Sequence, residues 1–79
     1  MIAMQMVRLV QLLSEVTGAP VESLGEESTP ANTRGWDSLT NLSFLGAIEE
    51  EFGVSISTAD ALGLRSLGDV ARLLSARQK

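Results

Sequence analysis

Asp37 and Ser38 form a polar pair directly before an amphipathic segment. The pair offers a carboxylate and a hydroxyl at a predicted helix start, where a hydroxyl could be chemically modified. With Asp37 as the N-cap of a helix, the Ser38 hydroxyl stands at the first helical position, beside backbone N–H groups that lack a partner within the helix. A helix N-terminus favours negative charge, so this hydroxyl is well placed to carry a phosphate. The simpler interpretation is that the pair only caps the helix.

The composition excludes most catalytic uses of Ser38. The 79 residues include no histidine and no cysteine, so Ser-His and Cys-His arrangements, thiolate or imidazole metal sites and disulfides are ruled out. The seven glycines are never closer than five residues apart, which excludes a dinucleotide motif, and no glycine is followed by the lysine that a P-loop requires. We therefore predict a non-catalytic protein without a metal site, whose serine a separate enzyme would have to activate.

Charge is distributed unevenly along the chain. Nine of the ten acidic residues lie between positions 15 and 60, where Arg34 is the single base, and a basic tail follows that ends at Lys79. The acidic middle repels nucleic-acid phosphates and favours a basic surface on another protein. Because no apolar run is long enough to span a membrane and no secretory leader pattern is present, we expect a cytoplasmic protein without membrane partners.

The hydrophobic pattern predicts an all-α fold, a small bundle of three main helices plus one short helix, in a single domain over residues 1–79. The first helix is predicted over Ala3–Thr17 and ends at Gly18. The second is predicted over Asp37–Phe52 and ends at Gly53. A long loop joins the two helices, and a loop of this length in so small a domain is more often functional than idle.

The remaining elements are predicted from apolar and capping residues. Val21 and Leu24 are expected to hold the long loop to the core. Thr58 is expected to cap one helical turn that runs through Leu62. The segment Ser66–Asp69 has the pattern of a capping box that opens the last helix.

The second helix has two apolar faces when it is wound at about 100° per residue. One arc is predicted to face the core and contains Phe44, Leu45, Ile48 and Phe52. Leu39 and Leu42 fall on the far side, beside Gly46 and flanked by Glu49 and Glu50. Since a helix in such a bundle needs one buried stripe, the second patch indicates a docking surface. The alternative is that Leu39 and Leu42 cover the long loop.

The residues around this helix resemble the signature of acyl carrier proteins. In that signature an Asp-Ser-Leu opens the second helix and an acidic-Phe-Gly run followed by apolar residues closes it. The matching segments here are Gly35-Trp36-Asp37-Ser38-Leu39-Thr40 and, after Phe44 and Leu45, Ala47-Ile48-Glu49-Glu50-Glu51-Phe52-Gly53-Val54-Ser55-Ile56. The resemblance covers nearly the whole chain, including the first helix, the long loop and the last helix.

The resemblance implies a prosthetic group on Ser38. A phosphopantetheinyl transferase would transfer 4′-phosphopantetheine from coenzyme A to this serine, and Asp37 would help the transferase to hold metal and phosphate. The terminal thiol would then carry acyl groups as thioesters between an acyltransferase, a ketosynthase or other biosynthetic enzymes, and a chain without cysteine must import such a thiol. Leu39, Leu42, Glu49 and Glu50 match the partner-docking positions of the family. Gly46 lies among them and costs about 1 kcal/mol in a helix interior relative to alanine, so it either admits a closely approaching partner or acyl chain or is merely tolerated.

Several positions depart from the fatty-acid carriers of the family. Thr40 and Ser43 stand where many of those carriers are acidic, and Gly46 stands where they hold a larger apolar residue. Together with Trp36, this favours a discrete, monomeric carrier of a polyketide or mixed polyketide–nonribosomal peptide pathway. The alternatives are a fatty-acid carrier, a peptidyl carrier, which usually shows Gly-Gly-x-Ser, and, outside the family, an unmodified helical adaptor. Trp36 itself either packs over the loop as a core anchor or flanks the prosthetic arm.

Overall fold

The computed structural model describes residues 2–77. The described residues form four α-helices and one turn of 3₁₀ helix, and they contain no strand, which confirms the all-α prediction. The helices are α1 (Ile2–Thr17), α2 (Ser38–Phe52), α3 (Thr58–Gly63) and α4 (Leu67–Arg77), and the 3₁₀ turn is Val21–Ser23. Lys79, the last residue of the predicted basic tail, lies outside the described residues.

The hydrophobic core forms where α1 packs against both α2 and α4. Its fully or almost fully buried apolar residues are Leu9, Leu12, Leu13, Trp36, Phe44, Leu45, Ile48, Leu67, Val70, Ala71 and Leu74. This set includes three of the four residues predicted for the core face of α2. Phe52, the fourth, is only half-buried and packs against the edge of the cluster.

The two long helices end where their glycines predict. Gly18 and Gly53 have φ angles of 80° and 65°, the left-handed backbone that glycine adopts without steric cost. The Gly18 N–H donates to the Ser14 carbonyl at 2.8 Å, which completes the C-terminal turn of α1. Both starts differ by one residue: α1 begins at Ile2 and not at the predicted Ala3, and α2 begins at Ser38 because Asp37 is its N-cap.

The predicted cap of α3 is wrong by one residue. Ser57, not Thr58, is the N-cap: its hydroxyl oxygen accepts the Asp60 N–H at 3.0 Å, and an Asp60 carboxylate oxygen accepts the Ser57 N–H at 3.1 Å. This reciprocal pair is a capping box, and the Ser-x-x-Asp spacing that produces it is visible in the sequence. The helix also continues past Leu62 to Gly63.

The start of α4 forms half of the predicted capping box. The Ser66 hydroxyl oxygen accepts the Asp69 N–H at 3.2 Å, as predicted. The Asp69 carboxylate, however, accepts the N–H of Arg65 at 2.9 Å, one residue before the position that a reciprocal box requires. Asp69 also pairs with Arg72 on the next turn. Ser66 and Asp69 therefore stabilise the helix start as predicted, but the Asp69 carboxylate accepts from the N–H of Arg65 and not from that of Ser66.

The long loop is held by backbone hydrogen bonds to α4. The N–H groups of Leu67 and Gly68 donate to the carbonyls of Ser28 and Glu26, both at 2.9 Å. A Cβ at position 68 would lie 2.7 Å from Glu26 Cγ, so this close approach requires glycine. Leu24 packs against the core as predicted, but the prediction for Val21 is wrong because its side chain is 44% exposed.

Candidate functional site

The N-terminus of α2 is capped by Asp37, as the sequence predicts. Asp37 has extended backbone, its Oδ1 accepts the Thr40 N–H at 2.9 Å, and its carbonyl accepts the Asn41 N–H at 2.8 Å. The hydrogen bonds from Thr40 hold the pKa of the Asp37 carboxyl below its ordinary value. The carboxylate is therefore negatively charged at neutral pH and fixed at the positive end of the helix.

Ser38 occupies the first helical position and is exposed. Within residues 2–77 its hydroxyl forms no hydrogen bond to another group, and neither histidine nor cysteine exists in the chain to activate it. The first turn of a helix presents backbone N–H groups that attract anions. An exposed, unpartnered hydroxyl at this position fits a phosphodiester and cannot by itself act as a nucleophilic catalyst.

Gly35 and Trp36 position this turn against the rest of the bundle. Gly35 has a φ angle of 88°, and a Cβ at this position would lie 2.5 Å from the Thr17 carbonyl oxygen at the end of α1. Trp36 is buried and meets Phe44 edge to face, with 5.7 Å between ring centroids, while its Nε1–H donates to Asn41 Oδ1 at 2.9 Å. Trp36 is thus the core anchor and does not flank an exposed arm.

The second apolar patch of α2 is exposed. Leu39 and Leu42 are 77% and 68% accessible, so the interpretation that they cover the long loop is wrong. Gly46 and Glu50 are exposed on the same helix. Among residues 2–77, no atom lies within 4 Å of the position that a Cβ on Gly46 would occupy, so packing within this part of the chain does not require glycine there.

Glu49 has a structural contact that sequence reasoning missed. Its side chain is half-buried, and its Oε2 accepts the N–H of Ile56 at 2.7 Å. This bond ties α2 to the connector that leads into α3. A groove of about 270 Å³ opens beside it, lined by residues of α2, the connector and α3 that include Leu42, Leu45, Gly46, Ile56 and Ala61.

Two further findings concern the described part of the chain. No group of three or more histidine, cysteine, aspartate or glutamate residues between positions 2 and 77 is arranged to hold a metal ion. Over the same residues, no helix has both the length and the apolar character needed to cross a membrane.

Comparison with known proteins agrees with this geometry. Residues 7–74 match the family described as phosphopantetheine attachment site. An acyl carrier protein from Saccharopolyspora erythraea is 32% identical over 66 residues, which are 84% of this chain and 70% of that protein. The chain therefore belongs to the acyl carrier protein family.

Family membership defines the kind of molecule. Acyl carrier proteins are non-catalytic carriers that hold 4′-phosphopantetheine covalently after modification by a phosphopantetheinyl transferase, and they work with biosynthetic enzymes. The interpretation as an unmodified helical adaptor is therefore wrong. When attached, the arm supplies the thiol for thioester chemistry, which a chain without cysteine cannot supply itself.

Proposed function

We propose that Ser38 is the residue that carries the 4′-phosphopantetheine arm. The observation that carries this proposal is the exposed Ser38 hydroxyl at the first position of α2. This hydroxyl has no intramolecular partner in the described residues, and it lies next to the capping carboxylate of Asp37. The chain's own part is to present this hydroxyl to the transferase and then to hold the phosphodiester at the positive end of a helix.

Intact mass spectrometry tests this proposal directly. The protein is incubated with coenzyme A, magnesium and a broad-specificity phosphopantetheinyl transferase, beside Ser38→Ala and Ser43→Ala variants. Ser43 is a matched control because it is also an exposed serine of α2. We expect one added phosphopantetheine on the parent and on Ser43→Ala, and none on Ser38→Ala. Modification of folded Ser38→Ala would show that another residue carries the arm.

We also propose that the exposed residues of α2 form the docking surface for the transferase and later partners. Leu39 and Leu42 supply apolar contacts, and Glu50 supplies an exposed negative charge close to them. Glu49 can contribute charge as well, although its bond to the Ile56 N–H gives it a structural role. A mixed surface of this kind suits a partner with apolar and basic side chains.

For the pathway, we propose polyketide or mixed polyketide–nonribosomal peptide biosynthesis. The support is the reduced acidity of α2 at Thr40 and Ser43 and the glycine at position 46, which distinguish this surface from that of many fatty-acid carriers. Fatty-acid partners that recognise dense negative charge bind such a surface less well. Trp36, in place of a second glycine before the serine, argues against a peptidyl carrier.

A charge-restoring variant tests the pathway proposal. Acyl loading of the modified protein is compared between a fatty-acid and a polyketide acyltransferase, using the parent and a Thr40→Glu/Ser43→Glu double variant. We expect the polyketide enzyme to load the parent faster and the double variant to gain activity with the fatty-acid enzyme only. Faster loading of the parent by the fatty-acid enzyme would instead favour a fatty-acid carrier.

We further propose that residues 1–79 form one carrier domain that acts as a monomer in the cytoplasm. The family match over residues 7–74 and the shared core of α1, α2 and α4 support the single domain. The net charge of −4 opposes self-association. Light scattering after size exclusion measures the oligomeric state, and cell fractionation measures the localisation.

A further inference from the structure

A second apolar surface lies away from the proposed docking helix. Val7 on α1 is 58% exposed and Val21 in the 3₁₀ turn is 44% exposed. Together with Met6, Val10 and Leu24 they line a groove of about 300 Å³ between α1 and the long loop. We call these five residues the α1–loop groove. Apolar side chains that are exposed together along a groove are typical of a contact surface, whereas exposed apolar residues elsewhere on a protein surface usually occur singly.

The α1–loop groove continues into an acidic depression. Leu24 and Gly25 line both the groove and a neighbouring depression of about 370 Å³, whose walls include Glu22, Glu26 and Glu27. None of these three carboxylates takes part in an ion pair among residues 2–77, because the paired acids there are Glu51, Asp60 and Asp69. Within residues 2–77, no lysine or arginine lines either surface. An apolar groove therefore adjoins an uncompensated negative patch.

The apolar side chains of this surface lie on a side of α1 away from α2, while Gln11 at the groove edge accepts a hydrogen bond from Arg8 Nη1 at 3.0 Å. Arg8 of α1 binds Glu51 at the end of α2, with Nε–Oε2 and Nη2–Oε1 distances of 2.9 and 3.0 Å. At about 100° per residue, Arg8 lies about 150° around α1 from the centre of Met6, Val7 and Val10. A protein that occupies the α1–loop groove would therefore leave Ser38 and the exposed leucines of α2 accessible.

We propose that the α1–loop groove and its acidic depression form a second protein-docking surface, which binds an amphipathic helix with apolar residues on one side and arginine or lysine on its flank. The apolar side fills the groove, and the basic flank meets the three unpaired glutamates, so the two halves of the surface require both properties in one partner. A second copy of this chain is a poor occupant because the acidic patches would repel each other.

Peptide binding followed by NMR tests this proposal. The probes are an 18-residue amphipathic peptide with leucine on one face and arginine on the other, and a counterpart with glutamate in place of arginine. We expect the arginine peptide to shift the amide signals of Val7, Val21 and Glu26, and its affinity to fall with added salt. The glutamate peptide should bind at least about tenfold more weakly, in line with the loss of charge complementarity.

Matched variants separate this surface from the rest of the protein. Val7→Asp/Val21→Asp should weaken peptide binding at least about tenfold, whereas Leu62→Asp, at a position 80% exposed on α3, should not change it. Glu22→Gln/Glu26→Gln provides a second test that leaves the apolar groove intact and should also weaken binding. All variants should be phosphopantetheinylated at the parental rate, so a failure here is distinct from a failure of the Ser38 proposal.

Four results would overturn the proposal. These are no peptide binding at millimolar concentration, amide shifts confined to α2, equal binding of the two peptides, and a concentration-dependent dimer that forms through the groove without peptide.

Discussion

Gly46 allows a stringent test of the proposed docking surface because its effects on stability and function should have opposite signs. Glycine in a helix interior costs about 1 kcal/mol relative to alanine. In α2, a Cβ at position 46 meets no atom within 4 Å, so Gly46→Ala should realise this gain without a steric penalty. For a domain of this size, about 1 kcal/mol corresponds to an increase in Tm of about 4–8 °C.

The added methyl group should weaken docking while it stabilises the fold. Gly46 borders the groove beside Leu42, and a partner atom packed closely against the glycine would meet the new Cβ. Overpacking of a close contact costs about 1–3 kcal/mol, so kcat/KM for phosphopantetheinyl transfer should fall at least about fivefold if the transferase packs there. The loss should appear mainly in KM, because Ser38 and Asp37 are unchanged.

Thermal unfolding and transferase kinetics on the same preparation measure both effects. Gly63→Ala on α3 is the control, since a Cβ there also meets open space and the residue lies off α2. A lower Tm for Gly46→Ala would refute the inference that a methyl group fits at position 46 without a steric penalty. A higher Tm with unchanged kinetics would show that Gly46 does not belong to the docking surface of the transferase.

Leu42→Glu should change the unfolding free energy by less than about 0.5 kcal/mol because the side chain is exposed, yet raise the KM of the transferase; a large loss of Tm would show that Leu42 is buried. Asp37→Asn should keep the cap and most of the Tm while lowering the rate of phosphopantetheinyl transfer, whereas Asp37→Ala should lower both; a parental rate for Asp37→Asn would exclude a role for the carboxylate charge. Gly35→Ala should lower the unfolding free energy by about 1–3 kcal/mol, because position 35 has a positive φ and its Cβ would contact Thr17. The loss should exceed that of Gly18→Ala, whose Cβ meets no atom of residues 2–77 within 4 Å. Equal losses would show that the Thr17 contact does not contribute. Finally, Tm should be constant near neutral pH and fall below about pH 4, because the carboxyls with lowered pKa stabilise the fold when charged and lose that contribution as pH drops through their folded pKa. These carboxyls are Asp37, Glu51, Asp60 and Asp69, whose pKa values are lowered chiefly by hydrogen bonds from Thr40, Arg8, Arg77 and the Arg65 N–H respectively.

The bounds of the main helices and the candidate attachment residue could be predicted because their signals are local. The Asp37 cap bonds a group three residues away, and Gly18 and Gly53 end helices through their own backbone conformation. Such interactions depend on neighbouring residues alone, so they can be read from sequence order. The same local chemistry placed Ser38 at the first position of α2. The α3 cap was predicted at Thr58 and lies at Ser57, although the Ser-x-x-Asp spacing that favours Ser57 is also a local signal.

Which surfaces are exposed depended on how the elements pack together. The periodicity of α2 showed two apolar faces, but only the packing of α1 against one of them left Leu39 and Leu42 accessible. The exposure of Val21 has a similar origin, since backbone bonds from Leu67 and Gly68 hold the loop and, of Val21 and Leu24, only Leu24 packs against the core.

Contacts distant in sequence account for the remaining differences. The Glu49 bond to Ile56, the approach of Gly35 to Thr17 and that of Gly68 to Glu26 join residues between 7 and 42 positions apart. No local pattern predicts them, because each requires two elements to be brought together by a shared core. Sequence by itself therefore determined the helices, their caps and the acyl carrier signature, and the tertiary structure decided which side chains remain free to meet a partner.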